Sequence, residues 1–368
     1  MSTTTRDAER GVAIAGEEPN LKAVHRGRGR VLRMVLLGVF VIAAAIVSLG
    51  IGPSPIDPAT VLRILWWGAT GWGDPETWAT AQQTIVLDIR LPRVLVGLLA
   101  GAALAATGAT LQSLVRNPLA DPYILGVSAG ASTGAAAAIL FGTALFATSL
   151  GLAASAFVGA AVATGIVLLL SHAGGRPTSM RLLLAGVTVG YLLQAGTSFL
   201  IFASDTAEGA RSVMFWLLGS LAMSSPSSLG VMAVVIVLGI AVLIGSARGL
   251  DALDLGDETA ETLGIRPDRL RRRLLLLSAA LVGVTVSVVG AIGFVGLVVP
   301  HLARRAVGSP HRILIPTAAL LGAGFLVVSD VAARMVLVPQ ELPIGIVTAL
   351  VGTPLLVRHV ARMRDGAV

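Results

Sequence analysis

Apolar positions along this chain fall in long unbroken runs, without the polar stripe that a helix on the surface of a soluble protein would show. A run of roughly 20 apolar residues is long enough for an α-helix to cross the hydrocarbon core of a bilayer. Such runs lie at about 34–52, 94–115, 122–142, 149–171, 182–203, 229–246, 274–295, 313–336 and 343–361, with a shorter one at 297–307. Ten membrane helices are expected. The apolar stretch Phe215–Ala222 is too short to cross, so it should lie in the interface or pack on the bundle. Residues 1–33 are polar, rich in Gly, Arg and Glu, and aperiodic, which describes a disordered tail. The first apolar run is too long for the core of a cleaved signal peptide.

Polar interruptions sharpen this picture. They fall at Arg116-Asn117-Pro118, at Gly293–Gly296 and at Val299-Pro300-His301. Broken backbone at membrane depth is tolerated only where protein or water satisfies it, so these breaks favour a transport path over a plain anchor. Gly126, Gly130 and Gly134, spaced at four, share one helix face, and close helix packing is their expected role. A weak internal repeat is also present. Gly101, Gly108, Pro118 and Gly126 recur as Gly283, Gly290, Pro300 and Gly308, each 182 positions on. The span count puts the two copies in opposite directions, an inverted repeat of the kind found in transporters.

Composition narrows the function. The chain is 55% hydrophobic and 13% charged, against about 25% charged in soluble domains. The formal charge of +7 comes from residues scattered between apolar runs, which gives no nucleic-acid surface. There is no cysteine, and the five histidines form no metal-ligand pattern, so no metal or cofactor is expected. Lys22 is the only lysine and stands in NLKAVHR, so the chain has no phosphate-binding P-loop. An active transporter built on it needs a separate motor or an ion gradient.

Arginine is biased to one side. With the N-terminus inside, only Arg63, Arg90, Arg93, Arg211 and Arg334 remain outside, and both termini are expected in the cytoplasm. Asp330 and Arg334 are four apart and suit an ion pair. Alternatively, Arg334 points outward with Arg90 and Arg93 to bind carboxylates of a partner. Asp330 is also the main acid that an ion-coupled carrier could use at mid-membrane. The long connection Ala247–Arg273 is expected to hold a short helix outside the membrane. Asp257 and Glu258 start it, Gly264 stops it, and Pro267 follows. Leu263 and Ile265 on its surface suggest a cytoplasmic contact.

These residues resemble the FecCD family of ABC-importer permeases, which serve vitamin B12, iron–siderophores and haem. The resemblance runs through RLPR (Arg90–Arg93), Gly108–Ala131, FWLLGSL (Phe215–Leu221), ETLGI (Glu261–Ile265), Gly290–Arg304 and Glu341–Val357, and covers about residues 34–364. It implies an all-α, ten-helix type II permease domain over 34–364 that dimerises with a second permease subunit. It further implies two cytoplasmic ATPase subunits and an extracytoplasmic substrate-binding protein. Under it Arg90, Arg93 and Arg334 would dock the binding protein. Glu258, Thr259, Ala260, Glu261, Thr262, Leu263, Gly264 and Ile265 would seat in the ATPase. The fifth and tenth helices would line the path. The chain itself would be no enzyme, and its expected cargo is a ferric siderophore, carried across a bacterial cell membrane. Cobalamin or haem is the alternative.

Overall fold

The structure, a computed structural model, describes residues 21–142, 148–172, 179–222 and 226–364, and every regular element among them is helical. The order begins with α1 (Leu21–Gly50), α2 (Pro58–Thr70), α3 (Thr80–Leu114), α4 (Val127–Phe141), α5 (Ser149–His172) and α6 (Ser179–Phe202). Next come α7 (Ala207–Leu217), α8 (Pro226–Gly245) and two short helices, α9 (Ala247–Asp254) and α10 (Asp257–Thr262). The chain ends with α11 (Pro267–Val289), α12 (Val295–Val307), α13 (His311–Met335) and α14 (Ile344–Arg364). Among the described residues, seven helices are long and apolar enough to cross a membrane. The other three expected runs are α4, α12 and α14.

Residues 1–20 of the expected tail lie outside the described residues, but α1 already begins at Leu21. Extending a formed helix adds a hydrogen bond per residue, so α1 continues past its apolar part. Two elements have no counterpart in the apolar pattern. One is α2, where Asp57 accepts from the N–H groups of Ala59 (3.0 Å) and Thr60 (3.3 Å) and Pro58 occupies the first turn. The other is the start of α3, which runs back to Thr80. Between them Trp67 and Trp78 pack edge to face with ring centres 6.3 Å apart, and Trp66 and Trp72 are exposed, as aromatic residues often are at a membrane–water boundary.

α3 is the axis of the bundle, and every residue from Ala103 to Leu114 is buried. Its residues there are mostly small, which brings backbones together. A Cβ on Gly101 would overlap the Gly322 carbonyl of α13, and one on Gly108 would overlap Gly296 of α12. The Gly130–Gly134 face of α4 packs the same way on Gly159 and Ser155 of α5, as its spacing implied.

Two of the three interruptions complete each other. α3 stops at Leu114, Arg116 turns left-handed (φ 53°), and a single turn at Pro122–Leu125 follows. The chain breaks again between Val289 and Val295, with Phe294 at φ 70°. The Tyr123 hydroxyl joins them: it accepts from Ile292 N–H (2.8 Å) and donates to the Ile292 carbonyl (2.9 Å). The third interruption needs correction, because Pro300 lies inside α12 and the helix continues. Proline removes the donor for the Gly296 carbonyl. Gln112 of α3 approaches that carbonyl at 3.5 Å and donates to the next one, Leu297, at 3.2 Å. Gly126 and Gly308, 182 positions apart, both have positive φ (71° and 88°), but Gly126 precedes α4 whereas Gly308 ends α12.

Candidate functional site

Charged side chains gather at both ends of α3, separated by about 20 residues of helix or ~30 Å. At the Arg93 end the ions are buried. Arg93 donates from Nε to Asp330 (2.7 Å) and from Nη1 to Glu341 (2.7 Å). The second Asp330 oxygen faces Arg334 Nε at 3.0 Å, the i,i+4 pair expected from their spacing. Arg334 also donates to the carbonyls of Ile51 (2.7 Å) and Ser48 (3.3 Å). Arg90 donates to those of Leu49 (2.7 Å) and Ser54 (2.6 Å). Two guanidinium groups therefore satisfy the carbonyls at and beyond the end of α1, where the helix dipole favours positive charge. Gly52 leaves the room, since a Cβ there would press on the Arg90 guanidinium.

This geometry corrects the expectation that Arg90, Arg93 and Arg334 display free guanidinium groups. They are 6%, 7% and 4% exposed, and each donates hydrogen bonds inside the chain. A charge at this depth without a partner would be costly, so Arg93 and Arg334 share Asp330 while backbone carbonyls hold Arg90. Of the five arginines expected on this side, Arg63 and Arg211 are the exposed ones. Asp330 is saturated by two cations, which leaves no free mid-membrane acid for ion coupling at this position.

At the other end, α9 and α10 form the connection that the sequence read as one short helix. Gly264 (φ 78°) ends it and α11 starts at Pro267, as anticipated. Glu258, Thr259, Glu261, Thr262, Leu263 and Gly264 are exposed, and Leu263 keeps 62% of its surface. Ala260 is fully buried, and Ile265 packs against the core instead of lying on the surface. Helical periodicity turns Ala260 inward, and Ile265 lies beyond the Gly264 reversal. Asp257 is held by Arg271 at 2.7 Å on each oxygen and by Arg116 at 2.5 Å. The Arg271 hydrogen bonds hold its carboxyl below the usual carboxylate range, with Arg116 adding to the effect. Asp257 was expected at the start of this helix, but Asp251 and Asp254, which also anchor the segment, carry no signal in the apolar pattern. Their spacing at three was the available signal.

Each end opens on a cavity. One of about 740 Å³ lies between α7 and the start of α14, lined by Glu208, Arg211, Ser212, Phe215 and Glu341 among others. The Arg211 guanidinium sits over the Phe215 ring, 5.6 Å from its centre. A second, of about 210 Å³, is bounded by Pro118, Leu119, His301, Arg305, Leu355 and Arg358. α14 thus runs from the rim of one cavity to the wall of the other.

A bundle with paired broken helices, a cavity at each end and a bare surface helix describes the membrane subunit of a transporter. The chain belongs to the FecCD transport family, which it matches over residues 26–362. It is 39% identical to the cobalamin import permease BtuC of Halobacterium salinarum over 86% of this chain and 92% of that one. It is 38% identical to the hemin transport permease HmuU of Yersinia pestis, covering 92% and 98%. It is 40% identical to the ferric enterobactin permease FepD of Escherichia coli, covering 90% and 95%. Its fold matches a solved structure described as an inward-facing conformation of a metal-chelate type ABC transporter. The TM-score is 0.78 at 34% identity, over 89% of this chain and 98% of that one. The chain is therefore a multi-pass membrane protein with the type II importer fold, a transport subunit whose ATP hydrolysis belongs to another subunit.

Proposed function

We propose that this chain imports a ferric siderophore across a bacterial cell membrane, with both termini in the cytoplasm. It works as a dimer with a second permease subunit, driven by two ATPase subunits and supplied by an extracytoplasmic binding protein. The observation that carries the reading is α10, whose Glu258, Thr259, Glu261, Thr262 and Leu263 stand bare while its other face is tied into the bundle. An exposed Leu263 beside acidic and hydroxyl groups fits a partner's groove. The 740 Å³ cavity suits a bulky chelate, and its mixed Arg211, Glu208 and Glu341 lining suits a polar one.

Docking of the binding protein then works by exchange. Arg93 is buried, but its partner Glu341 has a side chain 43% exposed at the rim of the cavity. A carboxylate arriving from outside displaces Glu341 from Arg93 and frees the segment that leads into α14. Arg90 and Arg334 hold the surrounding loop for this exchange.

Cobalamin and haem stand as the second reading, because relatives named for those cargoes match about as well as the enterobactin permease. Uptake of radiolabelled ferric siderophores, hemin and cobalamin in a deletion strain, with and without this gene restored, separates them. Loss and rescue for ferric siderophores alone is the expected result. Loss confined to cobalamin or hemin would keep the mechanism and replace the cargo.

A further inference from the structure

Asp251, Asp254 and Asp257 run along α9 into α10, and each is held from a different part of the membrane bundle. Asp251 accepts from the backbone N–H (2.9 Å) and lies 2.7 Å from Nδ1 of His311, the first residue of α13. Asp254 accepts from the Ser113 hydroxyl in the last turn of α3. Asp257 joins Arg271 of α11 to Arg116, just past the end of α3. Arg116 also donates to the Leu253 carbonyl (2.9 Å), so its side chain spans α9 and α10. Its left-handed backbone is unfavourable for a residue with a Cβ. The two contacts of its side chain hold it there.

We infer that this aspartate latch, with Asp257 at its centre, carries movement of α10 to the ends of α3, α11 and α13. α10 has six residues and one of them, Ala260, is buried. A push on its bare face therefore passes to the bundle mainly through its bonded groups. Asp257 moves Arg116, and Arg116 is two and three residues from Pro118 and Leu119, which wall the 210 Å³ cavity. The latch thereby links the exposed helix to that wall. The source of the push rests on the ATP-driven reading above, whereas the link is a property of this chain. Asp257 touches no cargo and is a positioning residue.

The absence of cysteine makes the test direct. Leu119→Cys is placed in the full complex with its motor subunits in lipid nanodiscs. Its rate of modification by a maleimide is measured without nucleotide and with ATP and vanadate. The rate should change by about fivefold or more, the lower range of coupling between distinct sites. Adding Asp257→Asn should leave the motor bound in the same ratio and abolish the nucleotide response. Asp257→Glu, which keeps a carboxylate, should restore part of it, and Arg116→Gln should lose it from the other side of the link. Asp268→Asn, an exposed loss of the same charge on α11, should leave the response intact. A full response in Asp257→Asn would overturn the inference. So would loss of the motor from both the Asn and the Glu variants, since Asp257 would then serve assembly alone. A parent complex that retains no motor would refute the ATP-driven reading itself and take the inference with it.

Discussion

The two ends of α3 use the same chemistry for opposite purposes. At the Arg93 end, Asp330, Arg93 and Arg334 are almost fully buried and bonded within one knot. At the Asp257 end the ions are partly solvated, with side chains 43% exposed for Asp257 and 45% for Arg116, and they bridge separate elements. Breaking a buried pair strands a charge and costs several kcal/mol, whereas a solvated pair is worth about 0–1 kcal/mol. The first arrangement fixes geometry. The second tolerates rearrangement at low cost, which suits a surface that a motor must move.

The largest effect should follow from Asp330→Ala. It leaves Arg93 and Arg334 buried without their shared carboxylate, and a loss of about 3–5 kcal/mol is expected. Thermal unfolding in detergent should show a large drop or no folded protein at all. A melting curve like that of the parent would break the contrast, because the knot would then be dispensable. Next in size is Leu263→Asp on the bare face of α10. Loss of an apolar anchor at an interface costs about 2 kcal/mol, or some thirtyfold in affinity. Co-purified ATPase should fall while the permease melts as before, and fully retained, active motor subunits would refute the contact.

The contrast was half visible in the sequence. Long apolar runs reveal membrane helices because lipid removes the alternative of exposed backbone, and the Gly264 and Pro267 signals fixed the end of α10. What stayed hidden depends on tertiary pairing. Arg90 and Arg93 beside a proline look like outward arginines, and nothing local to them says that Leu49, Ser54, Asp330 and Glu341 wait at distances of up to 248 residues along the chain. Pro300 reads as a break because Gln112, the residue that covers the freed carbonyls, lies on another helix. α2 has 13 residues, too few for a run of roughly 20, so the span pattern left it out although Asp57 and Pro58 mark its start.

Glu341→Gln sharpens the comparison from the outer side. The pair with Arg93 is half solvated on the glutamate side, so a stability change of no more than about 1 kcal/mol is expected. Removing the internal competitor should instead tighten binding of the delivery protein, readable by biolayer interferometry on nanodisc-held complex. Weaker binding would show that Glu341 supports docking directly and would sink the exchange scheme.

The smallest expected effect is a null one, and it follows from the sign of a proton equilibrium. Arg271, then Arg116, hold Asp257 in its charged form, so its folded value lies below the ordinary carboxylate range. A group lowered on folding contributes fully above its unfolded value and loses that contribution as pH falls through the folded one. The latch should therefore stay closed across roughly pH 5 to 8, and the nucleotide response of Leu119→Cys, corrected for thiolate reactivity, should not vary there on account of Asp257. Arg271→Gln removes the largest cause of the lowering, which moves the loss upward toward the ordinary carboxylate range. A response that declines at a higher pH in Arg271→Gln than in the parent would tie the latch to this carboxylate. Identical profiles would mean that Arg116 alone suffices, or that the solvated ions at this end matter as little to movement as they do to stability.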